Sequence, residues 1–150
     1  MKAFLDSNIF LNPLLAETEC HDCLRVLDGW RKCGLIDEAV TSYLSMANIA
    51  FVLRKKAGKE KVAPTVQNLL NYISSISNGI GVEYEYACAM RGPVFEDILQ
   101  YVNATISGCD ILITCNKPDF QRITDPDNVL GASRPEIITP AEFISRFLLC

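Results

Sequence analysis

Short apolar runs alternate along this chain with longer segments in which apolar residues recur every three or four positions. Runs of the first kind predict β-strands, and segments of the second kind predict helices. Strands are predicted over residues 3–5, 39–41, 81–84, 111–114 and 136–139. Because strands that alternate with helices are typical of βα units, the predicted fold class is α/β, with a central and mainly parallel β-sheet.

Prolines, glycines and capping residues predict where the helices begin and end. Thr139 and Glu142 form a capping-box pattern around Pro140, which predicts a last helix over residues 140–148. Asn12 before Pro13 predicts another helix start in the same way. Further helices are predicted around residues 20–30, over 43–57, from 64 to a turn at 77–79, and over 94–107.

The seven cysteines are odd in number and lack the spacing of a disulfide framework, which predicts reduced thiols. Cys20 and Cys23 flank the only histidine, His21, like half of a zinc site, but no second pair of ligands has a suitable spacing. Both thiols share a helical stripe with Leu24 and Trp30, which predicts that they lie in the core. The position of His21 in that helix disfavours a Ser-His-Asp or Cys-His nucleophile.

The chain has 150 residues, of which 49% are hydrophobic, so a single domain over residues 1–150 with one buried core is expected. No apolar run approaches the roughly 18 residues of a membrane span, and Asp6 interrupts the stretch that could mimic a signal peptide. We therefore expect a soluble, cytoplasmic protein. The net charge of −4 argues against coating nucleic acid by bulk attraction, but it is compatible with a nuclease that has an acidic metal site.

Polar side chains follow two of the predicted strands. Asp6 comes directly after the first strand, and Asn116 and Asp119 come after the fourth. Because the carboxyl ends of parallel strands meet at the edge where α/β folds bind ligands, these side chains should lie near one another, whereas Asp110 should lie at the opposite edge. Carboxylates there suit a divalent cation that holds phosphate. An Asx turn is the simpler interpretation of residues 116–119 alone.

Two predicted helices add polar candidates to this edge. Asp97 shares a helix face with Gln100 and Ala104, and that face should pack towards the sheet. An acid on an inward face needs a compensating partner, and a cation is one. The neighbouring Glu96 reads as an ordinary complement of the helix dipole. Asn48 lies within an otherwise apolar helix face, where a structural hydrogen bond is at least as good an interpretation as a functional role.

Taken in order, these motifs resemble those of PIN domains. The resemblance runs over nearly the whole chain, through residues 4–8, 41–48, 95–100 with Ala104, 110–116, 119–120 and 139–143. PIN domains are metal-dependent ribonucleases, and many are VapC-type toxins of bacterial toxin–antitoxin pairs. The resemblance implies a three-layer α/β/α fold and hydrolysis of phosphodiester bonds in RNA, and it is compatible with the toxin of such a pair.

The resemblance also implies a role for each motif residue. Mg²⁺ or Mn²⁺ would be held by Asp6, Asp97 and Asp119, directly or through water, with Asn116 as a further catalytic residue. The supporting side chains would be Ser7, Asn8, Asn48, Glu96 and Thr114. The contacts to RNA would come from Lys117, Arg91 and Lys55. The implied partners are RNA, an antitoxin protein and a second copy of the chain in a homodimer, with no membrane partner.

Two departures from the family pattern leave a second hypothesis open. Many PIN nucleases have acids where this chain has Asn48 and Asn116, and an amide binds a cation without adding charge. These amides favour a catalytically weak module that binds RNA or a protein, whereas the three aspartates favour a nuclease. A phosphatase of the haloacid-dehalogenase type is a more distant third interpretation, because it would require an acid where this chain has Asn8.

Overall fold

A five-stranded parallel β-sheet forms the centre of the protein in a computed structural model that describes residues 1–17, 19–79 and 81–149. The strands are β1 (Lys2–Leu5), β2 (Glu38–Ser42), β3 (Ser75–Ser77), β4 (Ile111–Ile113) and β5 (Glu136–Ile138). Their order across the sheet is β3-β2-β1-β4-β5, so the first strand of the chain lies in the middle. The predicted α/β class and the parallel sheet are confirmed.

The parallel pairing of β1 with β4 decides which residues lie at each edge of the sheet. The backbone N–H of Asp6 donates to the carbonyl of Ile113 over 3.1 Å, so Thr114 lies beside Asp6 at the carboxyl edge. At the opposite edge, the backbone N–H of Lys2 donates to the Asp110 carboxylate over 2.7 Å. The predicted separation of Asp110 from Asp6 is therefore confirmed.

Helices connect the strands and cover both faces of the sheet. They are α1 (Ser7–Leu14), α2 (Cys20–Gly29), α3 (Tyr43–Ala57), α4 (Val62–Leu69), α5 (Val82–Ala89), α6 (Phe95–Ile106), α7 (Lys117–Gln121) and α8 (Pro140–Phe143), which continues as a π-helix over Ile144–Leu148. Short 3₁₀ turns occupy Lys59–Lys61 and Leu70–Tyr72. The predicted capping box is present at the start of α8. None of the described helices is long and apolar enough to cross a membrane.

Alternate residues of each strand point to opposite faces of the sheet, and each face carries its own apolar core. Ala3 and Leu5 pack into a first core with α1, α2, α3 and α8, whereas Phe4 packs into a second core with α5 and α6. Strand β4 repeats the pattern, with Ile113 in the first core and Leu112 in the second. Residues 3–5 of β1 and all of β4 are apolar because helices cover both faces of the sheet, which gives the predicted three layers.

The strand predicted over residues 81–84 is wrong. Those residues lead into helix α5, and the edge strand β3 lies earlier, at Ser75–Ser77. Gly81 is the N-cap of α5 with a φ of 96°, a left-handed conformation that suits glycine, and the Glu83 carboxylate accepts its N–H over 2.9 Å. Strand β3 is short and polar and pairs only with β2, so it lacks the apolar run by which the central strands are predicted.

Three predicted helix boundaries are also wrong, and two of them lie near prolines. Helix α1 begins at Ser7, directly after β1, and has Pro13 in its last turn instead of starting there. Helix α4 begins at Val62 and has Pro64 in its first turn, where a backbone N–H has no helical partner in any case. It ends well before the predicted turn at residues 77–79, which leaves the chain free to form β3.

The prediction for the two cysteines of α2 is half right. Cys23 is fully buried in the first core, whereas Cys20 is partly exposed and Leu24 is exposed, so the buried stripe of α2 is narrower than predicted. The sulfur atoms of Cys23 and Cys115 lie 3.4 Å apart. The cysteines that the structure describes are free thiols, and Cys150 lies outside the described residues.

Removing the Thr139 hydroxyl tests the cap of α8, because this oxygen accepts the backbone N–H of Glu142 over 3.2 Å. We expect Thr139→Ala to lower the free energy of unfolding by about 1 kcal/mol, measured by urea denaturation. Thr124→Ala is the matched control, since Thr124 is exposed and lies outside the helices. Equal losses of stability in the two variants would contradict a capping role for Thr139.

Candidate active site

Asp6 joins the central strand to helix α1 and caps that helix. The residue is 3% exposed, with an extended backbone that is usual for an N-cap. Its Oδ1 accepts the backbone N–H of Ser7 over 2.8 Å. Its Oδ2 accepts the side-chain amide of Asn8 over 2.8 Å and the hydroxyl of Thr114 over 2.7 Å. The carboxylate is therefore held by two elements, the start of α1 and the end of β4.

Burial raises the pKa of Asp6 above the ordinary value for an aspartate. The hydrogen bonds from Thr114, Ser7 and Asn8 act in the opposite direction, because they stabilise the charged form. The amino end of α1 adds a favourable partial positive charge. Asp6 is thus a buried acid whose donors compensate in part for the loss of water.

Asn8 and Thr114 also fix the loop that follows β4. Oδ1 of Asn8 accepts the backbone N–H of Cys115 over 3.1 Å, and Oγ1 of Thr114 accepts the backbone N–H of Asn116 over 3.0 Å. Each side chain therefore contacts Asp6 on one side and this loop on the other. The structure brings both residues to the place that the sequence predicts for supporting residues.

A second polar group lies at the same edge of the sheet. It consists of Asp97 in the first turn of α6, Asn116 immediately before α7, and Asp119 within α7. Nδ2 of Asn116 donates to Oδ2 of Asp97 over 3.1 Å and to Oδ2 of Asp119 over 2.9 Å. One neutral amide therefore lies between two carboxylates and links α6 to α7.

The pKa of Asp97 is raised to about 6. Burial is the largest cause, followed by the negative charges of Asp6 and Asp119, while the hydrogen bond from Asn116 lowers it. Because both charges act on Asp97, the three aspartates form one electrostatic group, which we call the carboxylate cluster. The ion pairs found among the described residues involve other acids.

A cavity of about 460 Å³ opens over the carboxylate cluster. Asp6 and Asp97 line it, together with Ser7 and the exposed side chain of Glu96. Apolar side chains of α3 and the loop before α6 complete its walls, namely Leu44, Phe51 and Val94. The cavity gives solvent and ligands access to acids that are otherwise buried or half-buried.

Asn48 is exposed, so of its two interpretations the one as a buried structural amide is wrong. Helix α3 turns Met46 and Ile49 into the first core and turns Asn48 towards the cavity. Its Nδ2 lies 3.5 Å from Oγ of Ser7, at the limit of a hydrogen bond. Asn48 is nevertheless brought together with Asp6, because both side chains line the same cavity.

The donor atoms of the carboxylate cluster fit a hard divalent cation. They are carboxylate oxygens, which Mg²⁺ and Mn²⁺ prefer, and their mutual repulsion would be relieved by a cation. No three Asp, Glu, His or Cys side chains within the described parts of the chain are close enough to hold one ion as they stand. Nδ2 of Asn116 lies between Asp97 and Asp119, so this amide must turn its oxygen inward or move for an ion to bind there.

The basic residues predicted to contact RNA lie on different parts of the fold. Lys117 begins α7 and forms a 2.6 Å ion pair with Glu142. Lys55 is exposed near the end of α3, with its Nζ 4.7 Å from the ring centre of Phe51, which lines the cavity. Arg91 is exposed in the loop before α6. Lys117 directly follows Asn116, which is hydrogen-bonded to two acids of the carboxylate cluster.

Sequence reasoning missed a polar network in the wall of the cavity. The hydroxyl of Ser42 donates to the amide oxygen of the buried Gln100, whose amide nitrogen donates to the hydroxyl of Ser45. Ser42 also caps α3 by accepting the Ser45 N–H over 2.9 Å. The sequence feature that could have indicated this network is Ser42 itself, because it ends β2 at the same edge of the sheet as Asp6. The network locks α6 against α3 one turn after Asp97.

The comparison with solved structures identifies the fold, whereas two comparisons by sequence find no match. No protein-family model matches the chain, and no curated protein matches it in sequence. Among solved structures, VapBC2 from Rickettsia felis bound to a promoter DNA fragment matches with a TM-score of 0.65 and 16% identity, over 93% of this chain and 98% of that chain. VapBC-1 from nontypeable Haemophilus influenzae matches with a TM-score of 0.64 and 16% identity, over 94% and 99% of the two chains.

A third match is VapC20 from Mycobacterium tuberculosis, described as a toxin that cleaves the sarcin-ricin loop. Its TM-score is 0.57 at 11% identity, and the match covers 73% of this chain and 86% of that chain. At these levels of identity, the similarity establishes the fold. The chain has the α/β fold of the VapC proteins, which is the PIN-like fold that the sequence resemblance predicts.

Asp97→Asn should stabilise the cation-free protein at pH 7. A folded-state pKa of about 6, above the ordinary 3.8, means that the folded protein binds the proton more tightly, so Asp97 makes stability fall as pH rises from 3.8 through 6. The gain from Asp97→Asn should therefore appear at pH 7 and vanish near pH 4, in urea denaturation with EDTA. Asp127→Asn, in an exposed loop, should give no such difference. A loss of stability at pH 7 in Asp97→Asn would contradict this assignment.

Thr114 and Thr41 are a matched pair for testing the support of Asp6. Both are fully buried, but the Thr114 hydroxyl donates to the Asp6 carboxylate, whereas the Thr41 hydroxyl donates to the neutral carbonyl of Leu5 over 2.7 Å. We expect Thr114→Val to lower the free energy of unfolding at pH 7 by about 2 to 3 kcal/mol and Thr41→Val by about 1 kcal/mol. Urea denaturation measures both, and similar losses would argue against a charged partner for Thr114.

Proposed function

We propose that the protein is a metal-dependent ribonuclease whose active site is the carboxylate cluster. The observation that carries the proposal is the crowding of three acids at one edge of the sheet, where Asp6 and Asp119 help to raise the pKa of Asp97. Such crowding costs free energy in the absence of a cation, so a binding function is the best explanation for it. The fold shared with VapC proteins supports this activity.

Mg²⁺ or Mn²⁺ is the proposed cofactor, with Asp6, Asp97 and Asp119 as its ligands. When bound, such an ion lowers the pKa of a water molecule and neutralises charge on phosphate oxygens. The protein's own side chains hold the carboxylates in position. Thr114 holds one oxygen of Asp6 over 2.7 Å, and Asn116 links Asp97 to Asp119 in the cation-free protein through two hydrogen bonds.

RNA is the proposed substrate. The description of VapC20 as a toxin that cleaves the sarcin-ricin loop supports this class of substrate. Lys117 is the first proposed contact to phosphate, because it directly follows Asn116, which is hydrogen-bonded to Asp97 and Asp119. Arg91 and Lys55 are exposed and are proposed as further contacts that attract the RNA backbone.

An antitoxin protein is the proposed partner, and a homodimer the proposed assembly. The Rickettsia felis and Haemophilus influenzae neighbours are VapBC structures, and a further neighbour is a toxin–antitoxin complex from Klebsiella pneumoniae. The cavity over Asp6 and Asp97 is the surface that an inhibiting protein would have to cover. Light scattering on the purified chain tests the dimer directly.

A catalytically weak module that binds RNA or a protein is the second candidate function. It is favoured by Asn116, whose amide nitrogen lies between Asp97 and Asp119 where a cation would be needed. Asn48 also supplies an uncharged side chain to the cavity. Both candidates use the same surface, so a single assay of binding and cleavage separates them.

The purified protein should cleave a mixed pool of structured and single-stranded RNA in the presence of Mg²⁺ or Mn²⁺, and EDTA should abolish the cleavage. Asp97→Asn should lower the rate by more than roughly 100-fold, because residues that only support metal ligands already contribute about 10- to 100-fold. Asp110→Asn is the matched control, since Asp110 lies at the opposite edge of the sheet and should leave the rate near that of the wild type. Gel electrophoresis of the products measures cleavage by the wild type and by each of the two variants.

Two other results would change the proposal. RNA binding by the wild type without cleavage in any metal would select the weak binding module. Equal loss of cleavage in Asp97→Asn and Asp110→Asn would mean that the loss does not originate at the carboxylate cluster. Circular dichroism of both variants separates that result from a failure to fold.

A further inference from the structure

A second cavity, of about 500 Å³, opens at the carboxyl edge of the sheet beside the first. Its walls come from the ends of β2 and β3 and from helices α3, α5 and α6. We propose that this cavity binds a nucleobase of single-stranded RNA, next to the phosphodiester that the carboxylate cluster would hold. This inference rests on the proposed function, because it concerns the same substrate.

Two tyrosines at the mouth of the second cavity favour an aromatic ligand. Tyr43 is 68% exposed and Tyr84 is 53% exposed, and both line the cavity. Large exposed rings beside an opening are suited to stacking, and bases of single-stranded RNA stack on such rings. Leu44 and Leu99 supply an apolar surface deeper in the same cavity. The cavity volume is typical of sites for small ligands.

The charge of the lining favours a base over a phosphate. Within the described residues that line the cavity there is no lysine or arginine, and Glu83 supplies a carboxylate. A phosphate group would therefore be repelled, whereas a neutral heterocycle would not. Polar groups that can reach the edge of a base are present in Ser77 and Asn103. Asn103 donates to the Leu99 carbonyl over 2.9 Å and accepts the Ser77 hydroxyl over 3.5 Å, which leaves its second amide N–H for a base.

The two cavities are adjacent, which places a base next to a phosphate. Leu44 lines both of them. Ser42 lines the second cavity and Gln100 lines the first, and these two side chains are hydrogen-bonded to each other. This hydrogen-bonded pair therefore lies between the two cavities. An RNA strand with its phosphate at the carboxylate cluster has a neighbouring base within reach of Tyr43 and Tyr84.

Binding of fluorescein-labelled, eight-nucleotide single-stranded RNA to the full chain tests this inference. The measurement is fluorescence anisotropy in EDTA and, separately, in Mg²⁺ with the cleavage-deficient Asp97→Asn background. Tyr84→Ala and Tyr43→Ala should each weaken binding by about 10-fold, while Tyr84→Phe, which keeps the ring, should restore it. Phe95→Ala is the matched control, because Phe95 is 44% exposed near Asp97 but does not line the second cavity.

An RNA of the same length with abasic positions separates stacking from contacts to the backbone. It should bind less tightly than the normal RNA, and Tyr84→Ala should weaken it no further. Equal effects of Tyr84→Ala on both RNAs, or no effect on either, would overturn the inference and would indicate another occupant, such as a side chain of a protein partner. Absence of RNA binding under both conditions would overturn it as well.

The outcomes for this inference and for the proposed function can be told apart. Cleavage by the wild type, together with binding that does not depend on Tyr43 or Tyr84, would retain the nuclease and reject the base-binding cavity. Base-dependent binding that is weakened by Tyr84→Ala, without any cleavage by the wild type, would retain the cavity and reject the nuclease.

Discussion

Asp6 places a carboxylate in the interior, at the end of the strand that occupies the middle of the sheet. A carboxylate in that position requires donors, and the chain supplies them from Ser7, Asn8 and Thr114. The same side chains fix the start of α1 and the loop after β4. The bonds that make a buried charge tolerable are therefore also the bonds that assemble the candidate site, so fold and site depend on one interaction.

The remaining acids are arranged around this fixed point. Asp97 and Asp119 come from different helices, and the amide of Asn116 holds them together without neutralising them. The raised pKa of Asp97 shows that its charged form is still disfavoured in this arrangement. The cluster thus lowers the stability of the folded protein, although the same charges would bind a cation. Functional sites commonly show this trade-off between stability and binding. The neighbouring tyrosine-lined cavity adds an uncharged surface beside this acidic one.

The sequence is most informative where local pattern and tertiary burial agree. The central strands are apolar on both faces, and parallel pairing alone brings Asp6, Asn116 and Asp119 to one edge. Strand β3 has no such pattern, because it is short and polar and lies at the edge of the sheet. The apolar neighbours of Asn48 predict that its amide is buried. Helix α3 faces a cavity as well as a core, and Asn48 lies on the side that faces the cavity. The bonds between Ser42 and Gln100 depend on how α3 meets α6, which local pattern does not encode.

The order of the strands has a consequence for when the site comes into existence. Strand β1 is made first, yet it lies between β2 and β4, and β4 spans Ile111–Ile113. More than two thirds of the chain must therefore be synthesised before the Thr114 hydroxyl can donate to Asp6. A chain that is still being synthesised has the aspartate with Ser7 and Asn8, but it lacks the donor from β4. The pairing of β1 with β4 and the support of Asp6 by Thr114 therefore depend on the same late segment of the chain.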